Sequence, residues 1–252
     1  MRSHNRGLFE NNPDVDIIIR VKIPIFAPVM IHGLNFFQLT YPYYPTPLKE
    51  QVLVHLCRSA GITGKIALRP YIFLNPTEIA AGRLFERQIV MQTSCMGAAI
   101  PSLNKEWFDD RFRAVCDNLK DRYSIIQLGA KSDPPASGAL DLRGKTNLRQ
   151  SAAILSQSLV FIGLEGFLMH LARAVDCRAV IIYGGRLRPS HFGYIAFKNL
   201  LGLTTCSPCW LDNTCDYDRE CMKMISIESV VNAAMEQIEL FGQPLDTETV
   251  FI

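Results

Sequence analysis

The chain has 252 residues, 48 % of them hydrophobic, and its 26 basic and 24 acidic side chains leave a formal net charge of +2. That much apolar material supplies one large core or two small ones and excludes a disordered chain. Charges of both signs are interspersed, without a basic stripe, a charged tail or a low-complexity tract, so nucleic acid is excluded as a partner.

In chain order, the opening Met1-Arg-Ser-His-Asn-Arg-Gly7 lacks the apolar core of a signal peptide. Residues 14–21 read as a strand. The most apolar long stretch, residues 17–37, is broken by Arg20, Lys22, two prolines and His32, short of the ~20 apolar residues a spanning helix needs. These features predict a cytoplasmic protein, with attachment at the inner face of the membrane left open. A turn-rich segment at 41–47 precedes an amphipathic helix at 48–60 and another helix at 77–87. From there the pattern is regular: strand 88–93, helix 106–120, strand 123–128, helix 148–157, strand 159–162, helix 167–175 and strand 179–183, closed by Gly184-Gly185. Alternation of this kind predicts an α/β fold with a parallel sheet covered on both faces. After Gly185 a loop-rich segment is expected, then a last helix over 226–241 with Ser226 as N-cap and Gly242-Gln-Pro244 as its stop.

In such a sheet, ligands bind outside the carboxyl ends of the strands. Three turns lie there: Thr93-Ser94 with Lys105 further on, Gly129-Ala-Lys-Ser-Asp133, and Gly163-Leu-Glu-Gly-Phe-Leu-Met-His170. In the third, Glu165 and Gly166 open a helix whose first turn suits a diphosphate, with His170 one turn in. The plainer alternative makes Glu165 a favourable acid at a helix N-terminus and His170 a satisfied core histidine. Neither GxGxxG nor GxxxxGK[ST] occurs, which weakens dinucleotide and ATP-hydrolase readings.

Four of the eight cysteines, Cys206, Cys209, Cys215 and Cys221, follow a C-x2-C-x5-C-x5-C pattern. The set fits one tetrahedral metal ion, zinc or iron, held by four thiolates, or two local disulfides, or four reduced thiols. Cys57, Cys95, Cys116 and Cys177 are scattered among apolar residues and read as small buried hydrophobes.

Taken together, these pieces resemble glycosyltransferase family 9, the ADP-heptose:lipopolysaccharide heptosyltransferases and their relatives. The resemblance runs from about residue 88 to 231 through the Thr93-Ser94 turn, Lys105-Glu-Trp107, Gln127-Leu-Gly129, Leu142-Arg-Gly-Lys-Thr-Asn-Leu148, Gly163 to Ala172, Tyr183-Gly-Gly185, and Cys206-Ser-Pro-Cys209-Trp with Cys221-Met. It implies a GT-B fold of two Rossmann-like domains, of which residues 88–252 would be the C-terminal nucleotide-sugar-binding domain, including the cysteine loop 206–221. Residues 1–87 would be a partial, truncated N-terminal acceptor-side domain.

By the same resemblance, Lys105, Thr93 and Ser94 would hold the donor diphosphate, and Asp133 would accept from the ribose hydroxyls. Glu165, Gly166 and His170 fall on the family's D-[ST]-G-x-x-H motif, from which this chain departs with Glu for Asp, Gly166 for Ser or Thr, and Phe167 for Gly. Autotransporter heptosyltransferases carry a comparable cysteine-bound iron finger. The family's catalytic aspartate, on a Gly-rich turn near the N-terminus, has no match in residues 1–40. Asp14, Asp16 and His32 are substitutes, each with a structural alternative, so the catalytic base is unassigned. The implied activity is inverting sugar transfer from a nucleotide-diphosphate donor, ADP-heptose-like, to a glycan or protein hydroxyl, with homo- or hetero-oligomers left open. The rivals are an impaired remnant or subunit that binds a nucleotide-sugar or a partner protein without turnover, and a metal-knuckle interaction module.

Overall fold

Short apolar runs separated by amphipathic helices become one parallel sheet with helices on both faces. The computed structural model describes residues 6–15 and 50–252. Asp16, His32, the turn-rich 41–47 and most of the strand expected at 14–21 lie outside the described residues. In chain order the elements are α1 (Val52–Ser59), β1 (Lys65–Ala67), α2 (Pro76–Ala81), β2 (Gln88–Met91), α3 (Asp109–Leu119), β3 (Ser124–Gln127), β4 (Leu140–Asp141), α4 (Leu148–Ser156), β5 (Phe161–Leu164), α5 (Phe167–Ala174), β6 (Ala179–Gly184), α6 (Pro189–Phe192), β7 (Lys198–Leu201), α7 (Glu220–Lys223), α8 (Ile227–Glu239) and β8 (Thr249–Phe251). Single 3-10 turns form at Arg6–Leu8 and Leu103–Lys105.

The sheet order is β4-β3-β2-β5-β6-β7, and every pairing in it is parallel. The chain starts at the centre with β2, runs outward to β4, then returns to β5 and runs outward to β7. Strand order therefore reverses between β2 and β5, the position at which open α/β sheets carry a ligand crevice outside the carboxyl ends of the strands. Every residue of β2, β5 and β6 is buried, which is why these strands read as continuous apolar runs and not as alternation. One core, with Val90, Phe161, Leu168 and Ile181, lies under α4 and α5. The other, with Ile89, Ile162, Phe112 and Val230, lies under α3 and α8.

The described part of residues 1–87 is bonded to this same body. Val52 and Ile72 belong to the first core, and β1 pairs antiparallel with β8 from the far end of the chain. Arg149 on α4 ties the pieces together: it pairs with Glu78 of α2 and donates to the carbonyls of Gly7 and Phe73, each at 2.7 Å. Asp14 sits in an exposed turn, its N–H on Asn12 Oδ1 at 2.9 Å.

Several expected boundaries move, each for a local reason. The helix expected at 77–87 ends at Ala81, because Gly82 lies against the α4 backbone at Ala153 where a Cβ would collide, and the N–H groups of Leu84 and Phe85 turn onto Gln88 Oε1. The helix expected from 106 starts at Asp109, since Phe108 takes a positive φ of 82° that no helix accommodates. The strand expected at 159–162 lies at Phe161–Leu164. The segment after Gly185 is not only loop: it holds α6 and the edge strand β7. Cys95, Cys116 and Cys177 are buried, whereas Cys57 is only half-buried. No helix among the described residues is long and apolar enough to cross a membrane.

Trp107 fixes the segment before α3. It is fully buried, edge-on to Phe112 with centroids 5.0 Å apart, and its indole N–H donates to Ile225 O at 3.0 Å. Trp107→Ala is expected to cost about 3–5 kcal/mol, read as a lowered midpoint in chemical denaturation. A change below 1 kcal/mol contradicts this packing.

Candidate functional site

The crevice at the strand reversal receives the turn after β2 on one side and the start of α5 on the other. Lys105, from the Leu103–Lys105 turn, forms an ion pair with Glu165, which follows β5 directly. Both are largely shielded, with side chains 19 % and 9 % exposed, so the pair works in a lower dielectric than a surface pair. Burial disfavours the Glu165 carboxylate, but the Lys105 ammonium, helped by Arg186, outweighs it and holds the pKa below the ordinary value.

His170 lies one turn into α5, and its Nδ1 is 2.6 Å from the Tyr194 hydroxyl with the two rings edge to face. Burial pushes its pKa down, opposed by Glu165 and reinforced by Lys105, so the ring is neutral at pH 7. A neutral imidazole bonded through one nitrogen offers the other as a single donor or acceptor. Gly166 is the N-cap of α5 and contributes no side-chain cap, so the first N–H groups of the helix lack the usual side-chain acceptor. A Cβ built on Gly166 would meet nothing within 4 Å, so the space beside it is open, and Phe167 on its edge is 56 % exposed.

The other three predicted residues, Thr93, Ser94 and Asp133, occupy adjacent turns in different states. Thr93 donates to Pro134 O at 2.7 Å and accepts from Gln127 at 2.9 Å, so its hydroxyl ties the end of β2 to the loop after β3. Ser94 is buried and accepts the Met96 N–H at 3.0 Å. Asp133 is buried and closes its own turn by accepting the Ala130 N–H at 2.9 Å, and burial raises its pKa. The structure thus brings together Lys105, Glu165, Gly166 and His170, and turns the polar atoms of Thr93 and Asp133 inward. Arg186 and Tyr194 join the site without having been predicted. Arg186 was findable, because it follows the Gly184-Gly185 end of β6 and the rule applied to three other strand ends covers that one. Tyr194, between α6 and β7, carries no local signal.

The cysteine loop packs against the site. A Cβ on Gly185 would meet the Cβ of Cys221 at 2.9 Å, so a glycine there is what lets the loop close on the end of β6. All four thiols are half-buried. Cys215 Sγ accepts the Arg219 N–H at 3.3 Å. Burial raises the Cys221 pKa, backbone N–H groups of Gly185 and Met222 oppose it, and Cys209 and Cys215 are near enough to add to it. Backbone donors aimed at sulfur suit thiolate ligands. Among the described residues, no three His, Cys, Asp or Glu side chains are gathered closely enough to hold an ion.

Residues 87–209 match the model of glycosyltransferase family 9 (heptosyltransferase). No curated protein sequence matches the chain. Among solved structures, the fold is similar to E. coli ADP-heptose LPS heptosyltransferase II, with a TM-score of 0.54 and 15 % identity over 68 % of this chain and 54 % of that one. It is similar also to the dodecameric, iron-containing heptosyltransferase TibC in complex with ADP-D-beta-D-heptose, with a TM-score of 0.54 and 22 % identity over 73 % and 52 %, TibC being from enterotoxigenic E. coli H10407. A family 9 glycosyltransferase from Veillonella parvula DSM 2008 gives a TM-score of 0.54 and 16 % identity over 77 % and 62 %. The chain spans roughly half to three-fifths of the length of these structures, and at such identities the likeness is one of fold.

Glu165→Gln leaves the Lys105 ammonium shielded without its counter-charge, and is expected to cost about 1–3 kcal/mol at pH 7. Because the folded-state pKa of Glu165 is depressed, its stabilisation is present above the unfolded carboxylate value of about 4.3 and is lost as pH falls through the lower folded value. The stability gap between parent and variant should therefore narrow below pH 4, as followed by denaturation at stepped pH. A gap that widens on acidification contradicts the pairing.

Proposed function

Residues 87–209 match the glycosyltransferase family 9 model, and on that footing we propose that the chain is a glycosyltransferase of that family whose crevice between β2 and β5 binds the diphosphate of a nucleotide-sugar, ADP-heptose-like, for inverting transfer to a glycan or protein hydroxyl. The observation that carries this reading is the meeting of Lys105, Glu165 and His170 beneath the start of α5, with no side-chain cap on that helix. Lys105 and the first N–H groups of α5 receive the diphosphate, where a point charge and aligned backbone donors favour an anion. As an acceptor hydroxyl gives up its proton to a base and its oxygen attacks the anomeric carbon, the glycosidic bond to the diphosphate breaks and negative charge grows on the leaving group. These donors, already oriented, stabilise it. Neutral His170 adds one hydrogen bond, and Phe167 walls the sugar side.

In the same reading Cys206, Cys209, Cys215 and Cys221, which this structure does not gather closely enough for an ion, would draw together on one zinc or iron ion as thiolates. The N–H donors facing Cys215 and Cys221 support it, as does the iron described for TibC. Four protein ligands leave no open coordination position, so the ion's part is structural.

Lys105→Ala should weaken ADP or ADP-sugar binding about ten- to a hundred-fold, the size of one charge-assisted contact. Calorimetric titration checks this, and a variant that binds every tested nucleotide-sugar like the parent contradicts the site. Product formation from labelled nucleotide-sugar then separates transfer from binding alone. Elemental analysis of the purified chain should find about one equivalent of zinc or iron, reduced in Cys209→Ser. Neither metal near one equivalent contradicts the metal assignment.

A further inference from the structure

Lys105 stands on a weak footing of its own. A 3-10 turn of three residues has little intrinsic stability, and its N-cap Ser102 makes no side-chain cap. What holds it is the stretch Leu211-Asp-Asn-Thr214, which lies between Cys209 and Cys215. The Asn104 N–H donates to Asp212 O at 2.9 Å. The Asn104 side-chain amide donates to Leu211 O at 2.9 Å and Thr214 O at 2.8 Å. Leu103 N–H reaches Asn213 Oδ1 at 2.9 Å, and the Ser102 hydroxyl reaches Asp212 O at 3.1 Å. From the far side Arg186, whose charge acts on Glu165, pairs with Asp212. The four loop residues thus hold the Lys105 turn, and one of them, Asp212, also pairs with Arg186 on the Glu165 side.

We infer that Asn104 is a positioning residue for Lys105, and that the cysteine loop, through Asn104, sets the affinity of the crevice for a nucleoside diphosphate. Asn104 is 4 % exposed and is bonded on both its main chain and its side chain into the loop. Its bonds go to the loop and not to Glu165 or the space beside Gly166, so its effect runs through Lys105. Two carbonyl oxygens converging on one amide can be satisfied only by a two-proton donor, and among side chains of this size that is asparagine. Coupling is reciprocal: if a docked loop favours ligand binding, bound ligand must favour the docked loop by the same factor. The inference rests on the donor-site reading above and not on the metal.

The test uses the full chain with ADP as probe, with calorimetry for affinity and hydrogen exchange by mass spectrometry for the loop. ADP should slow exchange in residues 210–214, which the proposed ligand does not touch, as well as at the start of α5. Asn104→Ala, and the isosteric Asn104→Asp whose carboxylate cannot donate to two carbonyls, should each weaken ADP about ten-fold, a typical coupling. In both, ADP should still protect α5 and no longer protect 210–214. The inference is overturned if the parent binds ADP but exchange in 210–214 does not change, or if both variants bind ADP as tightly as the parent. A parent that binds no ADP overturns the donor-site reading and this inference with it. Should either variant fail to fold, the exchange pattern of the parent decides.

Discussion

The Lys105–Glu165 ion pair depends on two turns from opposite sides of the strand reversal reaching each other, and the site's electrostatics follow from it. In the absence of a ligand the glutamate serves as counter-ion, holding the ammonium in the crevice in place of solvent. A diphosphate that enters must share or displace that carboxylate. Its net gain comes from its greater charge and from the α5 N–H groups, which a single carboxylate does not satisfy. His170 stays neutral under the same field, because burial and the lysine together outweigh the glutamate.

The elements around this pair were legible wherever the chain buries both faces of a strand. β2, β3 and β6 read directly, since an apolar run between two amphipathic helices has few other homes in an α/β protein. β7 was not legible: it is an edge strand with Lys198 and Leu201 exposed, so its pairing with β6 rather than its composition makes it a strand. β1 and β8 pair across almost the whole chain, and no local pattern announces such a partner.

Within the site, Glu165 and His170 were legible as positions just beyond the end of β5, and Lys105 lies beside them through the turn at Leu103–Lys105. The reading of strand ends could not foresee that the Thr93 hydroxyl bonds between Gln127 and Pro134, or that Asp133 gives one carboxylate oxygen to the Ala130 turn and keeps the other buried without a hydrogen bond. The cysteine spacing marked the loop, but its bonding to the Lys105 turn comes from carbonyls of Leu211, Asp212 and Thr214, and backbone acceptors carry no sequence signature.

The central claim is that a diphosphate takes its place between Lys105 and the start of α5. A crystal structure of the full chain with ADP tests it most directly. The account predicts both phosphates in the crevice between β2 and β5, with an oxygen within hydrogen-bond distance of Lys105 Nζ and another facing the N–H groups of Phe167 and Leu168. Ordered ADP bound elsewhere, with Lys105 still seated on Glu165, would contradict it.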